Sequence, residues 1–294
     1  NQYGAGVSQV QFSSPTSVSE AVQSLANCDG NKKVLAGGTD LLVQLRAGMI
    51  SPDLIVDIKH IPELKEITAE NGGFRVGAAV AGAELSEHAE FPKVWPGVTE
   101  GLDLIGSTQI QGRASLGGNL CNGSPAADSV PAMIAAGATC KVVGANGERE
   151  ANVEDIVTGP GQTALGDDEF IASFFFPARP DHSGDAYLRL IPRTEMDIAV
   201  VGAGVSLTLD ADGTCTAARV ALGAVAPTAR LVPAAADAII GTKLDDAALE
   251  KLQSAASAAC EPIDDKRGTI EYRTKVAGVL ARRATVIAAE RARA

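Results

Sequence analysis

The chain has 294 residues, enough to bury a substantial core and to divide into two or three lobes. Its net charge is −11, with no run of Lys and Arg longer than two, which argues against a basic nucleic-acid groove or a polybasic membrane patch. Apolar residues make up 46% of the chain and aromatic residues only 4%, while 31 glycines promise many tight turns and close backbone approaches.

Residues 10–12 (VQF) are a short strand candidate. In SVSEAVQSL (17–25), Ser17 is the expected N-cap and Glu20, three residues on, completes a capping box ahead of apolar positions at helical spacing. KKVLAGG (32–38) reads as a strand that turns at Gly37-Gly38. Thr39 or Asp40 can cap a following helix through Leu45, with Gly48 just past its end. LIVDI (54–58) is a continuous apolar run, as a buried parallel strand requires. This β-α-β-α-β unit defines a first lobe, residues 1–58.

A second lobe is expected over 59–177. EITAENGGFRVGAAV (66–80) reads as a hairpin turning at Asn71-Gly72-Gly73, followed by helical stretches near 82–90 and 98–106. PAMIAAGA (131–138) is apolar and helical, KVVGANGERE (141–150) is a second hairpin turning at Asn146-Gly147, and DEFIASFFFP (168–177) closes the lobe with a strand. Pro177 and Pro180 mark a boundary. The third lobe, 178–294, opens with two long strands around Asp212-Gly213. It ends in two helical runs, LDDAALEKLQSAASAAC with Asp245 as cap, and GTIEYRTKVAGVLARRATVIAAERA. The fold class is therefore α+β.

Several chemical signatures are missing. The five cysteines, Cys28, Cys121, Cys140, Cys215 and Cys260, never reach CxxC spacing, and only His60, His88 and His182 could join them as ligands. No zinc site or iron–sulfur cluster is expected on this chain, and the scattered cysteines read as reduced thiols. The opening NQYGAGVSQVQF has neither a basic start nor an apolar core, so it is not read as a signal peptide, and the cytoplasm is the expected compartment. No run of about eighteen apolar residues predicts a membrane span. Gly202-Ala203-Gly204 begins like a dinucleotide fingerprint but lacks the third glycine, and a close-packed strand accounts for it better. Paired acids such as Asp245-Asp246 sit where solvated caps belong. No side chain is assigned a catalytic or metal-ligating role.

Two glycine pairs remain, in VLAGGTDLL (34–42) and SLGGNLCNG (115–123). The first removes side-chain bulk where a strand gives way to a helix, which exposes unpaired amides at the positive end of a helix dipole, a place suited to phosphate. By itself this loop reads better as an ordinary β–α turn that needs glycine for a positive φ. The second, within IGSTQIQGRASLGGNLCNGSPAAD (105–128), has four glycines before Asn119 and small residues throughout, so few of its side chains are expected to form a core. Asp128 lies close enough in sequence to return to the same pocket, where a carboxylate can accept hydrogen bonds from ribose hydroxyls or an adenine amino group. Alone, Asp128 reads as a helix cap.

The two loops, in their order and separation, together with RLIPRTEMDIAVVGAGVSL and EYRTKVAGVLARRA, resemble the flavin-binding subunit of the molybdenum hydroxylases. That family includes the medium subunit of aerobic carbon monoxide dehydrogenase, the middle portion of xanthine dehydrogenase, and the flavoprotein subunits of quinoline and nicotine dehydrogenases. The resemblance implies an FAD-binding fold of the vanillyl-alcohol-oxidase/p-cresol-methylhydroxylase type, built of two α/β lobes, plus a C-terminal lobe of antiparallel strands and a helical bundle. It implies that Val34, Leu35, Ala36, Gly37, Gly38, Thr39, Asp40 and Leu41 wrap the FAD diphosphate with Ala114, Ser115, Gly117, Gly118 and Asn119. Ser124, Pro125 and Asp128 then belong to the adenosine side, and Ile105, Gly106, Ile110, Ile171, Asp197 and Ile198 to the remaining cofactor contacts. Ile105 takes a place that several relatives give to an aromatic residue, and permits apolar contact with the flavin. The resemblance further implies a large subunit with the molybdopterin cofactor and a small subunit with two [2Fe-2S] clusters, joined to this chain as a dimer of heterotrimers. Electrons would reach FAD from the clusters and leave to an external acceptor. The rival readings are a self-sufficient FAD-dependent oxidase or dehydrogenase, and a non-catalytic binding module whose glycine loops are structural turns.

Overall fold

A computed structural model describes residues 10–36, 52–103, 115–121, 129–159, 161–190, 201–261 and 267–294. The chain opens with β1 (Gln11–Ser13), α1 (Val18–Ala26), β2 (Lys32–Leu35) and β3 (Leu54–Asp57), which form a parallel sheet in the order β1-β3-β2. α1 starts where expected: Ser17 Oγ accepts the Glu20 N–H at 3.1 Å. The return half of the capping box is displaced by one residue, because the Glu20 carboxylate accepts the Thr16 N–H at 2.8 Å instead of that of Ser17. Ala21 and Leu25 face inward from α1 and share a core with Leu54 and Val56 of β3. The expected helix from Thr39 or Asp40 to Leu45 lies outside the described residues.

A second, antiparallel sheet has the order β4-β5-β10-β6-β7. β4 (Ile67–Glu70) and β5 (Gly73–Gly77) turn at Asn71 and Gly72, whose φ values of 48° and 78° give the double left-handed turn that suits strand twist. Gly73, expected in the turn, is the first residue of β5. β6 (Thr139–Gly144) and β7 (Gly147–Asn152) form the second expected hairpin. A 3-10 turn at Val153–Asp155 and the short pair β8 (Val157–Gly159) and β9 (Gln162–Thr163) lead to β10 (Phe170–Phe176). β10 is central and buried on both faces. A register shift between Ile171 and Ser173 divides its side chains, so that Phe170 and Ala172 join the core of the first sheet, while Phe174 and Phe176 join the second.

The second core is closed by helices. The stretches expected near 82–90 and 98–106 appear as α2 (Gly82–Ser86) and α4 (Pro96–Asp103), and between them lies a further short helix, α3 (Phe91–Val94), with Pro92 in its first turn. α5 (Leu116–Cys121) and α6 (Ser129–Ala136) complete the layer. Leu116 and Leu120 are 1% and 0% exposed and lie in this core, so the described part of the second glycine segment packs through its two leucines.

The C-terminal lobe is a meander, β11 (Ser183–Leu190), β12 (Val201–Leu209), β13 (Cys215–Gly223) and β14 (Arg230–Leu231), followed by α7 (Pro233–Ile239), α8 (Asp246–Ala258) and α9 (Arg267–Arg293). At the β12–β13 turn the Asp210 carboxylate accepts the N–H groups of Asp212 and Thr214, both at 2.9 Å. Asp245 caps α8 as expected, accepting the Ala248 N–H at 2.9 Å. Ala203, Val205 and Leu207 alternate inward from β12 onto Ala281, Ala284 and Ala288 of α9. Gly202 and Gly204 lie inside β12, as the close-packed-strand reading requires.

Candidate functional site

The two glycine segments meet. β2 ends at Leu35, and the carbonyl of the next residue, Ala36, accepts a hydrogen bond from Ser115 Oγ at 3.2 Å in a buried contact. The same Oγ accepts the Gly118 N–H at 3.0 Å, which makes Ser115 the N-cap of α5. Residues adjoining the two glycine pairs, 79 positions apart in sequence, are thus joined through one hydroxyl.

The second pair is built differently from the expected loop: Gly117 and Gly118 lie within the first turn of α5. There Gly117 has a steric reason. A Cβ at this position would lie 2.7 Å from the Ala78 carbonyl oxygen and 2.9 Å from the Ala78 Cβ, so α5 can rest on the 77–81 backbone only through glycine. That platform is itself fixed. Ala78 N–H donates to the Ala172 carbonyl of β10 at 2.9 Å, Ala79 N–H donates to the Leu64 carbonyl at 2.9 Å, and Ala81 forms an antiparallel bridge with Ser115. Sequence reasoning missed the platform. Its signal is the run of small residues GAAVAGA directly after the strand (77–83).

The described part of this junction is made of small, uncharged residues: Ala36, Ala78, Ala81, Ser115, Gly117 and Gly118. The first-turn amides of a helix have no acceptor within it. In α5, Ser115 takes that of Gly118. The amides of Ala78, Ala79 and Gly118 already donate within the protein, so what fits an FAD diphosphate in the described part is the lack of side-chain bulk, which lets a ligand approach the backbone. Val34 and Leu35 lead into it along β2, and the backbone of Asn119 continues α5. Ile171 is buried in the same core as Leu116 and Leu120, one residue before Ala172, so it supports the platform from below. Gly37, Gly38, Thr39, Asp40, Leu41, Ile105, Gly106, Ile110, Ala114, Ser124, Pro125, Asp128, Asp197 and Ile198 lie outside the described residues.

The most displaced carboxyl among the described residues is elsewhere, between the second sheet's helices and the C-terminal lobe. Asp185 on β11 is 2% exposed, and burial pushes its carboxyl up to about 6 against the opposing pull of Arg179, the Gly97 and Val98 amides, and Arg291. Arg179 lies in the connection between β10 and β11, and its own pKa is lowered, mainly by burial. It donates to Asp185 Oδ1 at 3.3 Å, to the Val94 carbonyl at 2.7 Å and to Ser206 Oγ at 3.0 Å, and it lies 4.1 Å over the Trp95 ring. Arg291 of α9 bonds Glu100 of α4 at 2.6 Å and the Asp185 carbonyl at 2.8 Å. These bonds join α4 and the C-terminal lobe, so we assign this perturbed group to architecture. Sequence reasoning found none of its members.

A lobe built on a parallel sheet and one built on an antiparallel sheet, joined at a small-residue junction and followed by a meander-and-helix lobe, give the α+β architecture of an FAD-binding flavoprotein. Residues 8–179 match the family described as the FAD binding domain in molybdopterin dehydrogenase, and residues 186–287 match the carbon monoxide dehydrogenase flavoprotein C-terminal domain. The chain belongs to this family of FAD-binding medium subunits of molybdenum hydroxylases. It is 31% identical over 274 residues to the carbon monoxide dehydrogenase medium chain of Hydrogenophaga pseudoflava, covering 93% of this chain and 95% of that one. It is 35% identical over 213 residues to a xanthine dehydrogenase FAD-binding subunit of Escherichia coli, covering 72% of each. A solved carbon monoxide dehydrogenase of Hydrogenophaga pseudoflava, one that lacks the Mo-pyranopterin moiety of its cofactor, superposes with a TM-score of 0.89 at 32% identity, covering 96% of this chain and 98% of that one.

Proposed function

We propose that this chain is the electron-transfer subunit of a heteromeric molybdenum-containing hydroxylase, holding FAD between residues 1–58 and 59–177 while residues 178–294 buttress them. The single observation that carries the proposal is the Ser115–Ala36 hydrogen bond, which brings the two glycine segments to one place. Bound FAD supplies the redox chemistry, and the protein supplies position and electrostatics. Val34 to Leu41 and Ala114 to Asn119 hold the diphosphate with amides. Ser124, Pro125 and Asp128 hold the adenosine side, while Ile105, Gly106, Ile110, Ile171, Asp197 and Ile198 complete the enclosure. Electrons come from iron–sulfur clusters on a small subunit, fed by a large molybdenum subunit, and leave to an external acceptor. The complex is a dimer of heterotrimers in the cytoplasm. The family membership of the chain supports this division of labour.

The test is to purify the chain alone, record its flavin absorption, and mix it with candidate substrates. The expected protein is yellow and is not bleached by substrate until the partner subunits are added. Bleaching of the isolated chain would favour a self-sufficient flavoenzyme, and a colourless protein that takes up no FAD would leave only a binding module.

A further inference from the structure

α9 is a basic element in an acidic chain. Over Arg267–Arg293 it holds seven cationic side chains against two carboxylates, in a molecule of net charge −11. Arg291 and Arg293, in its last turn, complement the helix dipole. The middle of the helix has no such reason for its charge. Neither Arg282 nor Arg283 has a carboxylate three or four residues away on α9, where Gly278, Val279, Leu280, Thr285, Val286 and Ile287 stand instead. Arg282 turns toward α8, where it bonds Gln253 Oε1 at 3.4 Å and Asp246 Oδ1 at 3.5 Å, both at the limit of hydrogen-bonding range. Arg283 and Lys275 are exposed and form no ion pair among the described residues.

The outer side of α9 also carries an apolar stripe. Ala277, Ala281, Ala284 and Ala288 turn inward onto the meander. On the opposite side Tyr272, Val279 and Val286 recur every seven residues, two turns apart, so they share one line along the helix. Tyr272 is 50% exposed and Val286 40%. Beside this line α8 and α9 leave an open cleft of about 490 Å³, lined in part by Gln253, Ser257 and Arg282. The cleft is held in shape by Gly278, where a Cβ would lie 2.7 Å from the Gln253 carbonyl oxygen, so the two helices touch at that level only through glycine.

An apolar line at heptad spacing, flanked by cations without counter-charges, suits a helix of opposite sign. A second copy of this chain does not fit, because it would bring the same excess of cations to the contact. We propose that the outer face of α9, with the α8–α9 cleft, docks an acidic amphipathic helix of a partner protein chain. Its apolar ridge lies on Tyr272, Val279 and Val286, and its carboxylates meet Lys275, Arg283 and, in the cleft, Arg282. This inference rests on the reading of the chain as one subunit of a heteromeric assembly.

The experiment takes the chain in its native assembly and treats it with a carbodiimide, which joins lysine amines to carboxylates in contact with them. Mass spectrometry is expected to find Lys275 linked to a carboxylate of another protein. Hydroxyl-radical labelling of Tyr272 and Val286 should be several times weaker in the assembly than in the isolated chain. R283E and V286E, both at exposed positions, are each expected to raise the dissociation constant for that protein about tenfold, with FAD content unchanged. K251E reverses a charge at an exposed position of α8 outside the cleft and is expected to bind like wild type. Either variant decides the matter if the other does not fold. Wild-type affinity in R283E or V286E, an equal loss in K251E, or a link from Lys275 to a second copy of this chain would overturn the inference and leave the heteromeric reading intact. A chain that has no partner in its native cell would overturn both.

Discussion

Ser115 shows how much one hydroxyl can organise. It donates to the Ala36 carbonyl and accepts from the Gly118 amide, so it caps α5 and staples two distant segments together. Ser115→Ala leaves a buried carbonyl and a first-turn amide without partners, and is expected to cost about 1–3 kcal/mol in urea denaturation of the FAD-free chain, with weaker FAD binding. Asp185 makes a prediction of opposite character. Its folded pKa is raised above the ordinary 3.8 to about 6, so the native state holds the proton more tightly than the unfolded chain does. Its contribution to stability is thus full below pH 3.8 and is lost as pH rises through about 6. Between pH 7 and pH 4 the gain from this group is about 2 kcal/mol, and Asp185→Asn should flatten that part of a stability-versus-pH curve. Neither residue announces its role in the sequence. Ser115 is one serine among small residues, and Asp185 acquires meaning only from Arg179, Gly97, Val98 and Arg291, which the fold brings to it.

Among the elements, the turns and caps were the most legible. Asn71-Gly72, Asp212-Gly213, Ser17 and Asp245 act through bonds to near neighbours, and local chemistry decides them. The glycine pair at 117–118, expected in a loop, is helical, and Gly117 is required there by a neighbour almost forty residues away in sequence and not by a local turn. That distinction is testable. On an exposed helix Gly→Ala gains up to about 1 kcal/mol. At Gly117 the added methyl would press on the Ala78 carbonyl, and Gly117→Ala is expected to lose about 1–3 kcal/mol by thermal denaturation instead. Proline explains the other local departure: between the helical stretches expected near 82–90 and 98–106, Pro92 sits in the first turn of an additional short helix and Pro96 starts the second stretch two residues early.

At the scale of the molecule, the C-terminal lobe is held to the rest by arginines. Arg179, Arg219 and Arg291 each span a boundary between elements that are far apart in sequence. Arg179→Met would remove the cation from the Trp95 face and leave Asp185 without its nearest counter-charge, and is expected to destabilise the chain by about 3–5 kcal/mol in equilibrium unfolding. Family membership was legible because the two glycine segments and the later motifs occur in a fixed order along almost the whole chain. The way the lobes are pinned was not, because a buried ion pair has no period and no spacing.

The most direct test of the central claim is a crystal structure of the chain loaded with FAD. The account predicts a diphosphate within hydrogen-bonding distance of backbone amides from both Val34–Leu41 and Ser115–Asn119, with the Ser115–Ala36 bond intact beneath it. A diphosphate held elsewhere by lysine or arginine side chains, with those amides bonded to protein, would contradict it.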